Sequence, residues 1–171
     1  MRKYEGERAK NYEAQRKGNS VYDWQQQAVE MILRHYLPKS IIDVPVGTGR
    51  FFEAYMQLGC QVLGIDVSQD MLDLAHEKGY DYPLLKADVF DLELWDEVDH
   101  KLFGGHMTVC TRFFGHLSDR KKARLLGLLK GLVILSHGPD AFVFFEKLNI
   151  KLIFTTRMPE KHIHVSLIHI R

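Results

Sequence analysis

One stretch constrains the fold more than any other: IIDVPVGTGRFFEAYMQLGCQVLGIDVSQDML, residues 41 to 72. A hydrophobic run ends in an acid. A turn with two glycines follows, then a segment of helical length, then a second hydrophobic run ending in another acid. Short apolar runs without alternation read as strands buried on both faces, and such strands need a crossover between them. The chain repeats this arrangement. SIIDV, CQVLGID, YPLLKAD and HMTVCTRF read as strands one to four, and AFVFFEKL as the fifth. Residues 49 to 58, ending at Gly59, and SQDMLDLAHEKG, with Ser68 as N-cap and Gly79 as stop, read as helices between them. SDRKKARLLGLLKGLVIL reads as one long helix opened by Ser118 or Asp119.

Before the first strand, residues 22 to 37 place Trp24, Ala28, Met31, Ile32 and Tyr36 at helical spacing, with Asp23 as the candidate cap and Pro38 past the end. Residues 91 to 101 are acidic and read as a loop or short helix. IKLIFTTR and HIHVSLIHI read as two strands around a turn at Pro159. Having no long helix between them, they form a hairpin at the sheet's edge. The expected architecture is α/β: a doubly wound, mostly parallel sheet with helices on both faces and a C-terminal antiparallel hairpin. Ligands of such sheets bind at the carboxyl ends of the strands.

The chain's 171 residues suit one domain spanning 1–171. A formal net charge of +1 offers no broad attraction to nucleic acid or anionic lipid, so neither is an expected partner. Cys60 and Cys110 sit singly in apolar runs and read as reduced, buried thiols. The first residues are too polar for a signal peptide, and LLGLLKGLVIL is too short to span a bilayer. The expected location is the cytoplasm.

GTGR lacks the Lys-Ser/Thr of a phosphate-cradling loop. The dinucleotide glycine pattern also fails, because Pro45 and Arg50 occupy two of its three glycine positions. What fits is acid-x-x-x-Gly-x-Gly: Asp43, Gly47, Gly49. Gly47 lets a ligand approach the backbone, and Gly49 lets the next helix pack on the strand. An acid before the turn repels pyrophosphate and suits an amino group. Asp66, at the end of strand two, suits the two hydroxyls of a ribose. Asp88, past strand three, suits an exocyclic amine of adenine. Together they describe an adenosine with a cationic amino-acid tail and no phosphate, which is S-adenosyl-L-methionine.

At residues 20 to 148 the sequence resembles the class I S-adenosylmethionine-dependent methyltransferases, whose fold is Rossmann-like. IIDVPVGTGRF, VLGIDVSQDML, KADVFDL and VCTRFFGHL look like four successive motifs of that family. The resemblance implies that Gly47 and its turn lie along the methionine part. It implies that Asp66 holds the ribose, that Val67 or Met71 flanks the adenine, and that Asp88 and the Val89 amide read the adenine edge. Pro45 departs from the family's usual glycine and reads as a subgroup mark. Residues 1–37 resemble the family's N-terminal lid, in which Tyr12, Arg16, Tyr22 and Trp24 close over the ligand; the other reading is a solvated helix whose aromatics cover the sheet. Cys110, Thr111 and Arg112 end strand four, where the methyl group is expected, with Phe113 and Phe114 beyond.

His106 and His116 flank the same region as candidate bases, and no catalytic residue is assigned. His162 and His164 fall on one face of the last strand, as a metal pair or as exposed polar residues. Arg120, Lys121, Lys122 and Arg124 read as a solvated helix face. The expected activity is methyl transfer to a small molecule. The alternatives are a non-catalytic protein that holds S-adenosylmethionine or S-adenosylhomocysteine, and a nucleotide-sugar or NAD-type Rossmann domain.

Overall fold

A computed structural model describes residues 6–7, 11–12, 18–91, 98, 106–129, 131–158 and 161–170. Arg16, the turn at Pro159 and most of the acidic stretch from 91 to 101 lie outside the described residues. The elements in chain order are α1 (Ser20–Tyr36), β1 (Ser40–Asp43), α2 (Phe52–Gln57), β2 (Gln61–Asp66), α3 (Gln69–His76), β3 (Leu84–Lys86) and β4 (Met107–Cys110). Then follow a 3-10 turn (Phe114–His116), α4 (Asp119–Leu128), β5 (Gly131–His137), α5 (Ala141–Lys147), β6 (Lys151–Met158) and β7 (Ile163–Ile170).

One seven-stranded sheet runs in the order β3-β2-β1-β4-β5-β7-β6. β3, β2, β1, β4 and β5 are parallel, and β7 inserts antiparallel between β5 and β6. This is the doubly wound, mostly parallel architecture with a terminal antiparallel pair that the alternation predicts. The strand order reverses between β1 and β4, so a crevice opens above their carboxyl ends. β1 and β4 are buried along their whole lengths, which explains their uninterrupted apolar runs. One buried cluster, including Ile42, Ile65, Cys110, Leu125 and Phe145, packs one side of the sheet. Another, including Val29, Leu33, Ile41, Tyr55 and Val109, packs the other beneath α1 and α2.

Two elements differ from the sequence reading. The fifth strand is GLVILSH, and AFVFFEKL is the helix α5. Continuous apolar runs hide their period. In α5 the buried pair is Ala141 and Phe145, four residues apart on one helical face, where a strand would bury alternate residues. Asn19, not Asp23, caps α1: its side chain accepts the N–H groups of Val21 and Tyr22. Ser68 caps α3 as expected, accepting the Met71 N–H at 3.4 Å.

The basic face of α4 is not wholly solvated. Lys122 is 7% exposed and pairs with Asp140 at the start of α5. His162 lies before β7 in a left-handed conformation (φ 48°), so it does not share a strand face with His164. Its Nδ1 accepts from Arg157 at 2.8 Å. His164 instead stacks on His137, with ring centroids 5.5 Å apart. Among the described residues no group of three or more metal-ligating side chains gathers, and no helix is long and apolar enough to cross a membrane. Cys60 and Cys110 are both buried free thiols.

Candidate cofactor site

The turn after β1 carries the site. Gly47 (φ 56°) and Gly49 (φ 69°) both occupy the left-handed region. Their surroundings differ. A Cβ built on Gly49 would lie 2.5 Å from the Phe52 ring, so this glycine exists for the packing of α2. A Cβ on Gly47 meets nothing within 4 Å. The space beside Gly47 is open, as close approach of a ligand to the backbone requires. The Val44–Pro45 peptide bond is cis.

Both acids point into this region from strand ends. Asp66 is 7% exposed, and its Oδ2 accepts the Gly47 N–H at 2.9 Å while Oδ1 accepts the Ser68 N–H at 2.9 Å. Burial raises its pKa, and the backbone donors of Ser68, Gly47 and Val67 oppose the shift. With three backbone donors on its four lone-pair positions, the carboxylate keeps room for a ligand hydroxyl. Asp43 is 2% exposed and accepts from the Tyr55 hydroxyl at 3.0 Å. Burial holds its carboxyl well above the usual carboxylate range, the Tyr55 bond opposes this, and the Asp66 charge adds to it. A cation placed beside Asp43 therefore meets a group that gains by ionising.

Asp88 lies two residues past the end of β3, is exposed, and spends Oδ1 on the Phe90 N–H at 2.9 Å. Val89 is buried behind it. Met71 is 2% exposed at the start of α3, and Val67 is half-buried before it. Cys110 is fully buried, and burial pushes its thiol pKa far up, so it offers no nucleophile. His106 precedes β4 and so lies at the opposite end of the sheet from the site; it is no base for chemistry there. His116 is exposed in the 3-10 turn.

Against the underside of α1 lies Arg50, which the sequence reading did not single out as a site residue. Arg50 stacks its guanidinium 3.5 Å from the Tyr22 ring centroid, donates from Nε to Gln26 at 2.7 Å, and donates from Nη2 to the Tyr22 carbonyl. Burial lowers its pKa to about 10, and Tyr12 lies close enough to act on its charge. Trp24 is half-buried against the core beneath α1. Arg112 follows β4 at φ 56°, its N–H held by Ser136 Oγ at 2.7 Å and its Nη1 3.5 Å from Gln25 Oε1. The signal available in the sequence was the arginine closing GTGR, a cation seven residues after Asp43. An open cleft at the sheet edge, lined by Gln69, Leu72, Asp73, His76, Tyr82, Leu84 and Lys86, shares no residue with this site.

A family model described as a methyltransferase domain matches residues 41–130, the span from β1 to the end of α4. No curated protein sequence matches the chain. Among solved structures, the magnesium protoporphyrin IX methyltransferase of Synechocystis PCC 6803 with bound S-adenosylmethionine has a TM-score of 0.65 at 16% identity, covering 86% of this chain and 79% of that one. The 1,6-didemethyltoxoflavin-N1-methyltransferase of Burkholderia thailandensis, with its acceptor and S-adenosylhomocysteine bound, has a TM-score of 0.63 at 14% identity, covering 94% and 85%. A ribosomal protein methylase of Lactobacillus delbrueckii subsp. bulgaricus has a TM-score of 0.59 at 18% identity, covering 86% and 79%. The open turn at Gly47, the acids at the ends of β1 and β2, the strand order and the family match agree: the chain belongs to the class I methyltransferase family, whose cofactor is S-adenosylmethionine.

Proposed function

We propose that this chain binds S-adenosyl-L-methionine at the β1–α2 turn and transfers its methyl group to a small-molecule acceptor. The observation that carries the reading is the Asp66–Gly47 bond beside open space: the ribose acceptor and the glycine turn are already positioned against one another. Asp43 faces the cationic amino group of the tail. Val67 and Met71 flank the adenine, and Asp88, with one carboxylate oxygen spent on Phe90, presents the other to the adenine amine. Tyr12, Arg16 and Trp24 belong to the segment that closes over the ligand. When bound, the cofactor supplies an electrophilic methyl on a sulfonium. The protein orients the acceptor for in-line displacement and excludes water.

The near-neutral charge gives no field for nucleic acid, and the two free buried thiols suit the cytoplasm. A second reading, a non-catalytic holder of S-adenosylmethionine or S-adenosylhomocysteine, draws on the positions of the two candidate histidines. One lies at the wrong end of the sheet and the other is exposed. Calorimetric titration with both ligands tests the site. Transfer of labelled methyl from the cofactor to a metabolite pool then separates enzyme from holder: binding without turnover favours the holder, and absence of binding overturns both readings.

A further inference from the structure

Two guanidinium groups converge under α1, and neither forms an ion pair with a carboxylate of the described residues. They lie close enough to repel one another. Arg50 is anchored by Nε and Nη2, while its Nη1 is buried without a hydrogen-bond partner. A buried charged donor left unpaired is costly, so such an atom marks a place where a partner is missing. Arg112 is held more unusually. Its backbone is fixed in the left-handed region, which a non-glycine residue enters only when its surroundings hold it there. The Ser136 hydroxyl locks that conformation from the neighbouring strand β5. The guanidinium then reaches α1, where its one side-chain hydrogen bond among the described residues, to Gln25, is long at 3.5 Å. Among the described residues, the other donors of the fork make no hydrogen bond.

The two cations differ in position. Arg50 stands behind the turn that takes the cofactor. Arg112 lies two residues past the end of β4, one strand over. That is the strand end that faces the transferred methyl in the methyltransferase reading, on which this inference rests. Planar forks of this kind recognise carboxylates in bidentate fashion. We propose that Arg112, supported by the buried Nη1 of Arg50, binds the carboxylate of an anionic acceptor and so sets both its charge class and its orientation. The acceptor is then a small carboxylic acid, held by its carboxylate end while another atom meets the methyl.

The test uses the full chain saturated with S-adenosylhomocysteine and two isosteric probes, benzoate and benzamide, with binding followed by ligand-observed NMR. Wild type should hold benzoate about tenfold or more tightly than benzamide, as a charge-assisted bidentate contact implies. Arg112→Gln should bring the two within about twofold, since the charge is gone but the backbone conformation is unchanged in demand. Arg112→Lys, which serves if the glutamine variant fails to fold, should retain only part of the preference because it lacks the fork.

Calorimetry with S-adenosylmethionine and its decarboxylated analogue identifies the source of the anion. Arg112→Gln should change both affinities by the same factor. Equal binding of benzoate and benzamide by wild type overturns the acceptor assignment, as does undiminished preference in either variant. A loss confined to carboxylated S-adenosylmethionine also overturns it and hands the two arginines to the cofactor's tail. Failure of wild type to bind S-adenosylmethionine at all is a different result, which overturns the methyltransferase reading itself.

Discussion

The Asp66 carboxylate accepts the backbone N–H of Gly47 at 2.9 Å, tying the end of β2 to the turn after β1. The same carboxylate caps its own loop through Ser68. One side chain thus fixes the spacing of the two loops across which the proposed adenosyl ligand would lie.

Asp66→Ala should therefore fail twice. Loss of a charged acceptor for two hydroxyls should weaken S-adenosylmethionine by about 2–3 kcal/mol, and the orphaned N–H groups should lower stability by ~1–3 kcal/mol. Calorimetry and denaturant unfolding measure the two losses separately. Unchanged affinity in a folded variant would remove the ribose role.

Gly47 and Gly49 should separate binding from folding. At both, a side chain must enter the left-handed region, at roughly 1–2 kcal/mol. Gly47→Val adds bulk only to the open space, so the fold should persist while binding drops below detection. Gly49→Ala drives a methyl into the Phe52 ring, so its main effect should be on the melting temperature. Normal cofactor binding by Gly47→Val would make the turn a strand-to-helix connection and nothing more.

Asp43 should couple binding to protons. Its folded pKa is raised, so the free protein holds more protons than the unfolded chain just above the ordinary carboxylate range and loses stability as pH rises through the folded value. A cationic tail favours the ionised form, so binding releases a proton wherever Asp43 is still protonated. Affinity should rise with pH through that window. Titrations in buffers of different ionisation enthalpy count the proton, and Asp43→Asn should abolish both the release and the slope.

His137 should make the protein acid-sensitive. Burial lowers its pKa from 6.5 to about 4, with Nδ1 against the Gly138 carbonyl at 2.6 Å and Nε2 against Ser166 Oγ at 2.8 Å. Between those values the unfolded chain binds the proton and the folded chain does not, so stability falls as pH falls across that interval. The full gap corresponds to ~3 kcal/mol. Urea midpoints of wild type and His137→Gln should converge toward the acid end of the window. Parallel curves would mean that other groups carry the acid limb.

Periodicity and turn residues made β1 to β4 legible. They did so because buried strands and helix caps leave local marks, as at Ser68 and in the SIID run. The boundary near Gly131 was hidden, because LLGLLKGLVIL is apolar throughout and neither period stands out. The glycine turn and the acids at the ends of β1 and β2 were legible from their spacing. The partners that hold them were not: Tyr55 on Asp43, Gln26 on Arg50 and Ser136 on Arg112 are side chains of ordinary composition, and only the folded chain brings them to their positions.

The bonds that shape the cofactor turn join near neighbours in the chain, 12 residues apart for Tyr55 and Asp43 and 19 for Gly47 and Asp66. The contact between Arg112 and Gln25 spans 87. In the proposed reading, the adenosyl side thus draws its side-chain bonds from near neighbours in the chain, whereas the acceptor side is assembled from distant parts. On that reading, a change at the ends of β4 and β5 can redraw the acceptor side while the bond between Asp66 and Gly47 stays in place.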